Sequence, residues 1–168
     1  MDTGKLRDVE FGSLVTVAIR VALGWIMLWA FLDKMFGLGF ETPAGSGFVN
    51  GGSPSSYVVY VTNGVFKDLF TSLAGNTVVD VLLLLACLGL GLSFILGFAS
   101  RLSTVLMSVF LAVMFLLEVP PTDNPLIDYH VIYILAVLAV YLYGGFEKLS
   151  LNQAWVKLPV VRDFRILQ

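Results

Sequence analysis

One stretch limits this chain more than any other. It runs from Phe11 to Lys34 and reads F-G-S-L-V-T-V-A-I-R-V-A-L-G-W-I-M-L-W-A-F-L-D-K. Between Phe11 and Leu32 the only charge is Arg20. As a helix rising about 1.5 Å per residue, that segment is roughly 33 Å long, enough to cross a bilayer core of about 30 Å. An arginine near the middle of a span costs at least about 2.5 kcal/mol on insertion scales, so it must face protein, water or a ligand. The remaining residues have to supply the company that Arg20 keeps.

Composition agrees with a membrane chain. Of 168 residues, 58% are hydrophobic and 13% charged, where soluble domains run at about 45–50% and about 25%. The expectation is one integral membrane domain over 1–168. A net charge of −2 gives no basic footprint for nucleic acid. One cysteine, Cys87, and one histidine, His130, exclude an internal disulfide, a CxxC redox pair and a Cys/His zinc cluster, and no metal site is expected. The first apolar run is longer than the core of a signal peptide. Asp33-Lys34 follows it where small cleavage-site residues would stand, so it reads as a retained span.

After the first span, about 11–32, the segment Asp33 to Thr77 is too polar for lipid and too long for a simple turn. Gly37 to Gly52 reads as irregular loop. Ser53-Pro54 starts a short helix, with proline at the first helical position, and Asn63-Gly64 ends it. A second short helix, Val65 to Ala74, collects Val65, Phe66, Leu69, Phe70 and Leu73 on one side, as an interfacial or capping piece does.

Three more spans follow, about 78–98, 103–118 and 128–143, stopped by Pro120-Pro121 and by Gly144-Gly145. In the second span Gly89, Ser93 and Gly97 are spaced by four and predict a close helix contact. The tail from Phe146 is amphipathic at best and is interrupted by Pro159. The predicted fold is all-α: an integral membrane four-helix bundle whose large first loop carries short helices.

Orientation follows the basic residues. With the N-terminus inside, Lys5, Arg7, Arg101, Lys148, Lys157, Arg162 and Arg165 fall inside, and only Lys34 and Lys67 fall outside. Both termini are then cytoplasmic and the first loop is extracytoplasmic. The outer side also collects Asp33, Glu41, Asp68, Asp80, Glu118, Asp123, Asp128 and His130.

Two polar layers result. Arg20, Tyr141 and Ser108 are expected at mid-membrane depth, and Asp33, Lys34, Asp80, Glu118, Asp128 and His130 near the outer end. Each residue has a plainer reading beside the functional one. Arg20 either pins helices together or meets a ligand. Asp80 and Asp128 either cap helix starts, where the dipole favours acids, or line a site. His130 is a satisfied structural imidazole, a proton carrier or, least in keeping with the pattern, a haem ligand. Trp25 and Trp29, spaced by four, read as core or as a ligand-facing pair. Cys87 reads as inert packing.

In order along the chain stand Arg20-x3-Gly24-Trp25-x3-Trp29-x3-Asp33-Lys34, Gly51-Gly52-Ser53-Pro54, Leu73-Ala74-Gly75, Asp80, the glycines of the second span, and Asn124-Pro125-x2-Asp128-x-His130-x2-Tyr133. This set, from about Val17 to Gly145, resembles the DoxX/DoxD family of four-span membrane proteins, the DoxD branch most. The resemblance implies the membrane subunit of a thiosulfate:quinone oxidoreductase, which oxidises thiosulfate to tetrathionate and passes electrons to membrane quinone. It also implies a prokaryotic cytoplasmic membrane and a separate DoxA-like small subunit, since this sequence carries no such extension. Assembly as a homo-oligomer is left open.

On that reading quinone enters beside Trp25, Trp29 and the outer layer. His130, with Asp128 or Glu118, moves protons. Arg20, Asp33, Lys34 and Tyr141 complete the quinone-binding set, with Arg20 and Lys34 stabilising reduced or anionic species. The sequence shows no flavin, haem or iron–sulfur motif, so electrons need a direct donor-to-quinone route or another subunit. The rival reading is a non-catalytic membrane assembly factor, scaffold or small-solute binder of the DoxX superfamily. A proton or ion pathway needs a continuous polar line, which the depth gap between Arg20 and His130 interrupts.

Overall fold

The computed structural model describes residues 3–62, 64–121, 124 and 126–167, with side chains from Gly12 onward except that of Arg165. Asn63, Asp123 and Pro125, and the side chains of Lys5, Arg7 and Arg165, therefore lie outside the described residues. Among the described residues the regular structure is all helical. The helices are α1 (Thr3–Phe36), α2 (Tyr57–Val61), α3 (Lys67–Thr71), α4 (Thr77–Leu96), α5 (Ser100–Glu118), α6 (Tyr129–Leu142), α7 (Asn152–Trp155) and α8 (Pro159–Asp163). Among the described residues three stretches are long and apolar enough to cross a membrane: Gly12–Phe36, Thr77–Leu96 and Ser100–Glu118. The chain is thus a helical protein suited to a bilayer. Its outer faces agree, with Leu82, Leu85, Leu106, Val109, Leu135 and Leu142 all exposed.

The ends of the elements follow local chemistry. Asn76 caps α4 by accepting the Val78 N–H, and Asp128 caps α6 by accepting the Val131 N–H. Proline at the first helical position opens the 3-10 turn Pro54–Ser56, which runs directly into α2. Pro159 acts the same way. It was expected to interrupt the tail, which is broken between α7 and α8, and it begins α8, because its missing N–H is unpaired in a first turn anyway. The second short helix is confined to Lys67–Thr71, shorter than the predicted Val65 to Ala74.

α1 packs along α4, and α5 along α6; α1 also meets α6. The core draws on all four of these helices, with Leu23 and Met27, Leu90 and Phe94, Met107 and Leu111, Val137 and Val140, and Phe146 beyond them. The α1–α4 crossing depends on two glycines. A Cβ on Gly24 would lie 2.7 Å from the Ile95 nitrogen, and one on Gly91 would lie 2.7 Å from the Leu28 nitrogen. Only a residue without a side chain lets the backbones approach so closely. The expected Gly89–Ser93–Gly97 ridge is corrected here. Nothing lies within 4 Å of a Cβ on Gly89, and Gly97 has left α4 as its left-handed cap. Gly91 is two residues from Gly89, about 200° around the helix, so it looks the opposite way.

The crossing also fixes the register of α1. Position 24 meets 95, position 28 meets 91, and a Cβ on Gly97 would touch the Arg20 guanidinium at 2.7 Å. The helices are antiparallel, and Arg20 is level with the last turn of α4. The sequence placed it near the middle of a span; the 34-residue α1 instead runs well past α4 at that end.

Candidate functional site

Arg20 is fully buried, and its partners are backbone. Nη1 donates to the carbonyls of Gly145 at 2.7 Å and Lys148 at 3.2 Å, and Nη2 donates to that of Leu149 at 2.6 Å. Phe146 lies under the guanidinium, 5.6 Å from its carbon to the ring centroid. Of the residues expected at the depth of Arg20, Ser108 donates its hydroxyl to the Thr104 carbonyl in its own helix, and Tyr141 is half-buried on α6. α6 has only 14 residues, about 21 Å of rise. Irregular backbone follows it at once, and such backbone needs internal hydrogen bonds wherever water is excluded. Arg20 supplies three of them.

The opposite end is built differently. Asp33, buried near the end of α1, accepts N–H bonds from Leu38 at 3.2 Å, Phe40 at 3.2 Å and Thr42 at 2.7 Å. Its carboxylate is committed to folding the next loop back over the helix. That fold carries Glu41 to Lys34, Nζ to Oε2 2.6 Å, with the ammonium side chain 8% exposed and the carboxylate 60%. The Lys34 ammonium also stands 5.1 Å from the centroid of the Tyr57 ring. Asp80 fixes that side. It accepts from the Ser53 hydroxyl at 2.9 Å and the Ser55 N–H at 2.6 Å, while the Ser55 hydroxyl accepts from the Gly75 N–H at 3.0 Å. Burial pushes the Tyr57 phenol up to about 12, and the carboxylates of Glu41 and Glu118 add to the rise. It therefore remains a protonated donor at neutral pH.

From α6 comes the other half. The Asp128 carboxylate does two jobs: Oδ1 accepts the Val131 N–H at 3.1 Å, and Oδ2 lies 2.6 Å from His130 Nδ1. Nε2 is then the imidazole atom left to meet a second partner. The Tyr129 ring stacks on His130 with centroids 4.1 Å apart, and its hydroxyl donates to Glu118 at 3.5 Å.

These two halves border one large groove. It has a volume of about 1020 Å³ and runs between α4 and α5. Met27, Ala30 and Lys34 of α1 and Tyr129, His130 and Tyr133 of α6 also line it. The walls are apolar: Leu83, Ala86, Cys87 and Leu90 face Leu106, Phe110, Leu111 and Met114. Polar groups gather where Lys34, Glu41, Ser55, Tyr57 and His130 meet it. Leu82, Leu85, Leu106 and Val109 both line the groove and are exposed, so it opens sideways along α4 and α5.

Of the site residues proposed from the sequence, Lys34 and His130 line this groove, with Asp128 bound to His130; Glu41, Cys87, Gly89 and Ser93, also remarked there, line it too. Glu118 does not line it and meets the lining residue Tyr129 through the phenol hydroxyl. Trp25 and Trp29 do not line it. Trp25 is half exposed and stacks on Trp29 at 5.9 Å, and Trp29 meets Phe40 edge-on at 4.9 Å. Arg20, Asp33 and Tyr141 are also off it. Ser55, Tyr57 and Tyr129 went unremarked in the sequence as site residues. The only signal for them was their closeness to Pro54 and His130.

Comparison with protein-family models, with curated proteins and with solved structures finds no match.

Proposed function

We propose that this chain is the membrane subunit of a quinone-linked oxidoreductase, of the DoxX/DoxD kind that its sequence resembles. In this reading α1, α4 and α5 are spans of a prokaryotic cytoplasmic membrane protein, and α6 together with the backbone that follows it makes the fourth crossing. Both termini are inside, and the Lys34 end faces out. The observation that carries the reading is the groove: apolar along its length, open to the side where lipid would lie, and polar at one end. Pockets that hold amphiphiles combine apolar walls with a few placed polar groups. A membrane quinone has that shape, a ring with two carbonyl acceptors on an apolar tail.

The chain's own residues have defined tasks. Lys34 offers an ammonium donor to one carbonyl oxygen. His130 offers Nε2 to the other, with its proton on or off as Asp128 steadies the ring. Tyr57 and Tyr133 border the head, and the connection from Gly37 to Gly75 covers it from the aqueous side. A bound quinone supplies a two-electron, two-proton acceptor. Two thiosulfates joined through a new S–S bond to give tetrathionate release the two electrons required. The imidazole–carboxylate pair gives a route for the protons, and Glu118 beside Tyr129 continues it outward. Arg20 and Asp33 act on the frame: one satisfies the backbone after α6, the other places Glu41 and with it Lys34.

The test is binding and turnover on the purified chain. Saturable quinone binding is expected, together with thiosulfate-dependent quinone reduction by the chain and any small partner that purifies with it. His130→Ala should remove turnover while leaving insertion and thermal stability close to the parent. A parent that binds no quinone contradicts the proposal.

A further inference from the structure

The groove is much longer than a quinone head requires. Its wall extends from Lys34 and Leu117 at one end to Phe98, Ser103 and Trp155 at the other, the full length of α4. At about 1.5 Å per residue that is roughly 30 Å, and the volume of about 1020 Å³ is at the top of the usual range for small-molecule sites, about 300–1,000 Å³. The polar side chains that could orient a head, Lys34, Tyr57 and His130, are all at the Lys34 end. Beyond them α4 turns Ala86, Gly89 and Ser93 toward the groove. Gly89 faces open space, with nothing within 4 Å of where its Cβ would be. A track this long, with a polar end and small residues along its floor, fits a long, narrow apolar chain rather than a compact solute.

We infer that the groove is a tail track: its ligand is a quinone with a long polyprenyl tail, the head between Lys34 and His130 and the tail laid between α4 and α5 past Gly89. The inference rests on the quinone reading above and adds the class of quinone selected. Affinity should then depend on the tail as well as on the ring. Because the track is open at Gly89, a larger side chain can be added there without striking the protein.

The experiment compares two probes on the full chain in lipid nanodiscs: a benzoquinone with one isoprenyl unit, and the same head with a full-length polyprenyl tail. The parent should bind the long-tail probe more tightly. Gly89→Leu should reduce long-tail affinity by about tenfold or more, the scale on which apolar pockets discriminate a few methylenes. It should leave short-tail affinity and melting temperature unchanged, with Gly89→Ala in between. Equal binding of both probes by the parent, or long-tail binding untouched by Gly89→Leu, overturns the tail track while leaving the quinone site standing. Binding of neither probe overturns both. A parent that carries a diacyl phospholipid which Gly89→Leu expels, or a second copy of the chain that it releases, overturns the assignment of the groove to quinone.

Discussion

Arg20→Met should destabilise the fold by about 3–5 kcal/mol, because three backbone carbonyls lose a charged donor, and should leave quinone affinity unchanged. The guanidinium is 0% exposed and makes three bonds to carbonyls, at 2.7, 3.2 and 2.6 Å. A hydrogen bond to a charged group contributes about 1.5–3 kcal/mol net, so three give a gross loss of roughly 5–9 kcal/mol. Methionine returns part of this, because a buried cation no longer has to be desolvated and its thioether chain fills much of the space. Arg20→Lys keeps the charge but not the fork that reaches separate carbonyls at once, and should recover about half of the loss. The assay is reversible unfolding in mixed micelles, followed by circular dichroism, beside equilibrium quinone binding for parent, Lys and Met variants. A Met variant within about 0.5 kcal/mol of the parent, the range of an ordinary surface substitution, would refute the role assigned to Arg20. So would a Lys variant that folds like the parent and loses quinone.

Further outcomes follow from the same packing. Gly91→Leu should cost about 1–3 kcal/mol by overpacking the α1–α4 crossing, whereas Gly89→Leu should cost nothing; equal melting temperatures for the two would contradict the register. Asp33→Ala should cost several kcal/mol, as three N–H groups each lose a charged acceptor worth about 1.5–3 kcal/mol, and protease should then cut between Leu38 and Thr42, where the parent resists. Tyr57 has a phenol raised to about 12, above the ordinary value near 10. Between those values the unfolded chain loses this proton and the folded chain keeps it, so stability should fall as pH rises from about 10 to 12. Tyr57→Phe should remove that part of the fall, and identical pH profiles for Tyr57→Phe and parent would contradict the burial of the phenol.

The helices were legible because lipid-facing segments announce themselves as long apolar runs, and because Asn76, Asp128 and Pro54 mark starts with chemistry that acts within a few residues. The company of Arg20 was not. Its partners are carbonyls more than a hundred positions later, and every residue has a carbonyl, so no residue type signals the contact. The choice between Gly89 and Gly91 depends on which face of α4 turns to α1, and a spacing of four favoured the wrong one. His130, Asp128 and Lys34 could be named from their polarity near span ends. Tyr57 and Glu41 join them only because Asp33 and Asp80 fold the first loop back over the groove, through backbone hydrogen bonds that leave little trace in the sequence. The groove itself belongs to no segment: it is the space left when α1 takes α4 and α5 takes α6.

The central claim is that quinone occupies this groove with its head at the Lys34 end. The most direct measurement is photolabelling of the parent in nanodiscs with a polyprenyl quinone that carries one photoreactive group on the ring and, in a second probe, one at the tail end. The ring probe should label Tyr57, Tyr129 or Tyr133, and the tail probe should label residues near Phe98 and Trp155, with unlabelled quinone competing for both. Labelling by both probes around Trp25 and Trp29, or spread over the lipid-facing surface without competition, would contradict it.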